Sequence, residues 1–277
     1  MKRFIKDISA FCFCQSLILS FSILAFRPTT QDYLAGNLDK HSLASMTNPP
    51  RIVFIGGSNL TFGLNSERIH TEFGYPVVNM ALSGMTGTDF MLNEGREVLK
   101  KGDIAVLSLE YDMFHADAVD PVLWEVSLRR LRNWRYISLR QYKWLLDNGL
   151  DVFKIITRSV PALGLAERVS APSKPPYTRD SFNRYGDVAA YRESLSNEWD
   201  INWNHFPNAY TKGQIERLNI FYEYCLAKGV KVFFSYSPFP ESLCKKWQGS
   251  LRQFVLLLNE KLTIPILGTP AETCFAD

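Results

Sequence analysis

Histidine is scarce in this chain, 4 in 277 residues, and none of its 5 cysteines stands at metal-site spacing. No metal-binding or organic-cofactor motif is visible. A dominant charge is missing too: 31 Lys and Arg against 28 Asp and Glu leave a formal +3, too mild to indicate nucleic acid. The chain has no low-complexity tract and no solenoid-like repeat, which excludes long disordered regions and stacked-repeat architectures. What is present, 46% hydrophobic and 21% charged residues, suffices for one large core.

Charge is absent altogether from Ile8–Phe26, a run of about 19 residues against the roughly 20 a helix needs to cross the hydrocarbon core. Lys2, Arg3 and Lys6 precede it, so the positive-inside rule places the N-terminus in the cytoplasm and the rest outside. A cleaved signal peptide is the competing reading, but Ile23 and Leu24 before Ala25 make a poor cleavage pattern. An uncleaved signal anchor over residues 1–26 is expected. Cys12 and Cys14 fall inside the run. Outside the cytoplasm Cys244 and Cys274 could pair, although separate small buried thiols are the expectation for both.

Residues 27–50 are polar, lack a clear period and end in Pro49-Pro50, which reads as a tether. A domain over 51–277 then alternates strands and helices. Strands are expected at Arg51–Ile55, Val77–Met80, Ile104–Leu109, Val230–Ser235 and Ile264–Leu267. Nearly uncharged strands separated by helices imply a doubly wound, mostly parallel α/β sheet covered on both faces, a three-layer α/β/α arrangement. An insertion over 113–210 interrupts it. Its first half is amphipathic and Arg-rich with interleaved Trp and Tyr; a solvated helical face is the expectation, contact with anionic lipid the functional alternative. Its second half groups Tyr177, Phe182, Tyr185, Tyr191, Trp199 and Trp203, which suits either a sugar-like ligand or packing of the insertion onto the core.

Three turns follow the first three strands: Gly57-Ser58-Asn59, Ser83-Gly84 and Glu110-Tyr111-Asp112. In an open α/β sheet these C-terminal strand ends form the ligand-binding edge. Ser58, entering a helix, would expose its hydroxyl beside backbone N–H groups suited to an oxyanion, and Gly84 would let another N–H approach. Ser58 as a plain helix cap is the structural alternative. A phosphate loop fits poorly, since "GGSNLTFG" matches neither nucleotide-binding pattern and Asn79 stands where a dinucleotide site wants an acid.

The blocks "VFIGGSNLTFGL", "VVNMALSGMTG" and "VLSLEYDMF" resemble, in order, the first three blocks of the SGNH/GDSL hydrolase superfamily, in particular its membrane-anchored bacterial envelope branch. The resemblance implies a flavodoxin-like SGNH fold. It makes Ser58 the nucleophile, Gly84 an oxyanion donor, and Gly57 and Asn59 neighbours of that hole. Tyr111 falls where the family has the oxyanion-hole Asn. The family's closing Asp-x-x-His block is incomplete: Asp277 lies at the Asp position and no His follows, which suggests a truncated family member. Of the histidines present, His41 falls in the tether, His70 on the helix leading from Ser58 and His205 in the insertion. His115, just past the third strand, is the candidate substitute base. The resemblance implies serine esterase or O-acyltransferase chemistry on acyl groups, chiefly O-acetyl, of envelope or exported carbohydrate, impaired by the absent His. The alternative is a non-catalytic module on the bacterial plasma membrane that holds a glycan or a partner membrane acyltransferase.

Overall fold

The structure is a computed structural model describing residues 4, 6–11, 13–15, 17, 31–114, 120–149, 176–188 and 212–276. Its centre is a five-stranded parallel sheet in the order β2-β1-β3-β4-β6, with β1 at Ile52–Gly56, β2 at Val77–Asn79, β3 at Ile104–Ser108, β4 at Lys231–Ser235 and β6 at Ile266–Leu267. A short parallel pair, β5 (Phe239–Pro240) with β7 (Cys274–Phe275), lies outside this sheet. The expected parallel α/β sheet is present, and it is consistent with SGNH-like folds.

Alternate strand residues serve opposite faces, as a period of two requires. Val53, Ile55, Ala105, Leu107, Val232 and Phe234 join one apolar cluster. On that side pack α4 (Thr88–Val98), α7 (Lys212–Ala227) and, after the short helix α8 (Glu241–Lys246), α9 (Gln248–Lys261), through residues such as Leu92, Leu218 and Phe254. Ile52, Phe54 and Val106 join a second cluster with Leu60 of α2 (Ser58–Gly63) and Ile69 of α3 (Ser66–Phe73).

The segment read as a tether is partly built into the domain. Tyr33–Ala35 forms a 3-10 turn and Gly36–Met46 forms helix α1. The inner stripe of α1 is Asn37, Lys40, His41 and Ala44, spaced i, i+3, i+4, i+7. Three of those four are polar, so no apolar period shows in the sequence. Each polar member finds partners: Asn37 Nδ2 donates to Glu94 at 2.6 Å, His41 contacts the same carboxylate at 2.8 Å, and Lys40 Nζ donates to the carbonyls of Asn79 and Gly186. Burial lowers the Lys40 pKa to about 7.

The Arg-rich first half of the insertion also departs from a solvated face. It forms α5 (Pro121–Arg129), a 3-10 stretch (Leu131–Tyr136) and α6 (Leu139–Asp147). Trp124 is buried there; Arg129 pairs with Asp32, and Arg130 with Glu97 at 2.6 Å. Tyr177 and Phe182 pack with Tyr33 and Phe62, the packing role for these aromatics. Tyr191, Trp199 and Trp203 lie outside the described residues. Cys244 and Cys274 form a disulfide, in place of two separate thiols, because β7 returns alongside β5.

Among the described residues no helix is long and apolar enough to cross a membrane. Of the apolar run Ile8–Phe26, residues 8–11, 13–15 and 17 are described; they are helical, with Ile8, Phe11, Phe13 and Leu17 exposed.

One buried ion pair ties these elements together. Arg51 donates to Asp103 through Nε at 3.2 Å, to the carbonyls of Ala44 in the last turn of α1 and Thr47 just after it, and to that of Val98 at 2.6 Å. Both side chains are fully buried. Asp103→Ala is expected to cost about 3–5 kcal/mol, because it leaves the guanidinium charge uncompensated. Urea unfolding of the parent and variant checks this.

Candidate functional site

β1 and β3 pair in register from Ile52↔Ile104 to Gly56↔Ser108. Two residues beyond the last pair stand Ser58 and Glu110, so strand register alone brings them level at the sheet's C-terminal edge. Ser58 Oγ donates to Glu110 Oε1 at 2.7 Å, and the Asn59 backbone N–H donates to the same oxygen at 3.0 Å. Ser58 is the first residue of α2, so the backbone N–H groups of Ser58 and Asn59 have no intrahelical acceptor, and Glu110 takes them up.

Two glycines make room for the carboxylate. A Cβ on Gly57 would come within 2.7 Å of Glu110 Oε1, and one on Gly84 within 2.1 Å of Oε2. Gly84 opens the 3-10 turn Gly84–Thr86, whose first N–H groups are capped by Ser83. The sequence-expected residues Gly57, Ser58, Asn59 and Gly84 are therefore brought together, but around a carboxylate. Glu110 is the group sequence reasoning missed as a functional residue. The available signal was an acid placed directly after the expected third strand, on the ligand-binding edge.

Burial raises the Glu110 pKa; the hydrogen bonds from Ser58 and from the Asn59 backbone oppose that shift, and nearby Asp112 adds to it. The Asn59 side chain braces the floor of the site: Nδ2 donates to Ser108 Oγ at 3.0 Å and to Ser237 Oγ at 3.1 Å, joining the ends of β1, β3 and β4. Its Oδ1 is buried without a hydrogen-bond partner among the described residues.

Tyr111 does not reach Ser58. Its ring is buried edge-on against Phe239 and Phe254, and its hydroxyl donates to the Ser237 carbonyl at 3.3 Å. A tyrosine is too long for the short-range role of the family's Asn and finds its place in the apolar core. Two histidines are also engaged elsewhere: His41 on Glu94, and His70 Nδ1 at 2.8 Å from the Tyr75 carbonyl on the outer surface. His115, His205 and Asp277 lie outside the described residues. Asn79 serves as a structural hub, donating to the Leu60 carbonyl and to Asp187 Oδ1.

The Ser58–Glu110 pair opens into a cleft of about 530 Å³. Its walls carry Asp89, Asp112 and Asp120 together with Arg140, Arg217, Ser138, Gln141 and Gln214. Arg217 faces Asp89 at 3.3 Å. With Glu110 the acids outnumber the cations, which disfavours phosphate and suits a neutral ligand rich in hydroxyls. Among the described residues no three His, Cys, Asp or Glu side chains converge as a metal site. Comparison with protein-family models, curated proteins and solved structures finds no match, so geometry and the sequence blocks carry the functional argument.

The raised Glu110 pKa has a consequence for stability. A carboxyl whose folded pKa exceeds its unfolded value contributes stability below the unfolded value, and that contribution is lost as pH rises through the folded one. Glu110→Gln removes the charged form. Its melting temperature is expected to exceed the parent's near pH 8, with the gap closing toward pH 4, about the ordinary carboxyl range. Differential scanning fluorimetry of both proteins across that span reads the gap directly, and the opposing titration of Lys40 cancels between them.

Proposed function

We propose that the chain is an SGNH-like serine esterase or O-acyltransferase, anchored in a bacterial plasma membrane by its N-terminal segment and acting outside the cytoplasm on O-acyl, chiefly O-acetyl, groups of carbohydrate. The observation that carries this is the Ser58 hydroxyl, set at a strand-to-helix junction on the ligand-binding edge and hydrogen-bonded at 2.7 Å to a carboxylate. The strand order supports it, being the 2-1-3-4-5 flavodoxin-type order once the short β5 is set aside. The three-layer SGNH arrangement is the finer form of the same reading. The hydroxyl- and amide-rich cleft suits a sugar ester, and the Cys244–Cys274 disulfide suits an oxidising compartment.

In this reading Ser58 Oγ attacks the ester carbonyl, the sugar alcohol leaves, and the acyl group resides on Ser58. Water or a second sugar hydroxyl then takes it. The fold supplies orientation, with Ser58 fixed at the strand-to-helix junction.

One observation favours a second reading, a binding module without chemistry. Glu110 fills the notch between Gly57 and Gly84 where an oxyanion would be held, and it occupies the Asn59 N–H. A glycan would then bind in the cleft over an inert serine.

Because α1 and Arg51 join the domain to residues before 51, the test uses the full chain in detergent. Treatment with a fluorophosphonate probe is expected to label the parent and leave Ser58→Ala unlabelled, a loss of at least about 100-fold. An unlabelled but folded parent would favour the binding module.

A further inference from the structure

We propose that Glu110 itself is the proton acceptor for Ser58, so that the site works as a serine–carboxylate dyad with no imidazole in the proton path. This rests on the reading of Ser58 as a nucleophile and assigns the group that activates it. The carboxylate is in direct contact with the reacting hydroxyl, and a general base must stand within about 2.6–3.2 Å of the proton it takes; here the separation is 2.7 Å. It is fixed from three sides. β3 delivers Glu110 at the strand end, the Asn59 N–H holds Oε1, and Gly84 allows Oε2 to lie against the backbone.

Ser58 Oγ gives its proton to Glu110 Oε1 while Oγ bonds to the ester carbonyl carbon. Collapse of the tetrahedral adduct breaks the carbon–oxygen bond to the sugar, and that oxygen takes the proton back from the Glu110 carboxyl. Deacylation repeats the cycle: an incoming water or sugar hydroxyl loses its proton to Glu110, bonds to the acyl carbon, and Ser58 leaves with the proton. No oxidant, reductant or metal enters.

Electrostatics fit this sequence. At rest the single negative charge sits on Glu110. As the adduct forms, the charge passes to the substrate oxygen and Glu110 becomes neutral, so the half-buried site carries the same net charge throughout. Burial makes Glu110 a stronger base than an exposed carboxylate, nearer the strength a neutral-pH base needs. Among the described residues, the other charged or titratable groups around it include Asp112 on its own loop, Tyr33 before α1, Asp89 on α4, Asp120 before α5, Arg140 on α6 and Arg217 on α7. A histidine relay would instead place an imidazole nitrogen on Ser58 Oγ, a position Glu110 holds.

The test is the rate of fluorophosphonate labelling at Ser58 as a function of pH in the full chain, for the parent, Glu110→Gln and Glu110→Asp. In the parent the rate is expected to rise with pH through the raised carboxyl pKa and then level off. Glu110→Gln is expected to fall by about 100-fold or more and lose the step. Glu110→Asp, which keeps a carboxylate one methylene shorter, is expected to recover part of the rate and the pH step. Circular dichroism shows that each variant is folded; should Glu110→Gln not fold, the parent and Glu110→Asp profiles decide. A labelled parent with a Glu110→Gln rate within about threefold, or a faster one, overturns the dyad and leaves the esterase reading standing. A parent that is not labelled at all overturns both.

Discussion

The pairing of β1 with β3 is the constraint on which the rest of the molecule depends. The same offset of 52 residues separates Arg51 from Asp103 and Ser58 from Glu110. A buried ion pair thus sits just before the first rung, and the candidate catalytic pair lies just past the last. Slipping the pairing by one residue would move every side chain of the slipped strand to the opposite face, into the wrong core, and separate Ser58 from its carboxylate at once. Arg51 guards against this because its guanidinium also grips carbonyls at the ends of α1 and α4, so helices on the chain's two sides are fixed to the same register.

The far end of the sheet is built against stability. A largely buried carboxylate with raised pKa, glycines where a Cβ would clash, and an excess of acids in the cleft all oppose compact folding in the neutral range. The core beneath offsets them, with fully buried Phe221, Phe234 and Phe254 packed under the strand ends. Asn59 transmits that rigidity upward by bridging Ser108 and Ser237, so the backbone beside Ser58 is tied to the ends of three strands. Such a division, a stable base beneath a less stable rim, suits a site that needs a fixed hydroxyl.

Much of this was legible from the residues. Nearly uncharged strands between helices give the parallel sheet, and the two glycines before Ser58 mark the strand-end turn. Three features were hidden for definite reasons. The buried face of α1 is Asn37, Lys40, His41 and Ala44, whose helical spacing is invisible to an apolar pattern because hydrogen bonds satisfy polar side chains there. The partnership of Ser58 with Glu110 depends on strand order, which places β1 beside β3; sequence adjacency does not reveal it. The Cys244–Cys274 disulfide depends in the same way on β7 returning to β5. Tyr111 shows the converse. Its position suggested the site, yet its size and ring placed it in the core.

The central claim is that strand register sets Ser58 and Glu110 in direct, energetically coupled contact. A double-mutant cycle on unfolding free energy, using Ser58→Ala, Glu110→Ala and the combined variant, measures that coupling. The account predicts a coupling of about 1–3 kcal/mol, as for a hydrogen bond to a charged, largely buried acceptor. Additivity within about 0.5 kcal/mol would mean that the two side chains do not interact, and the account would be contradicted.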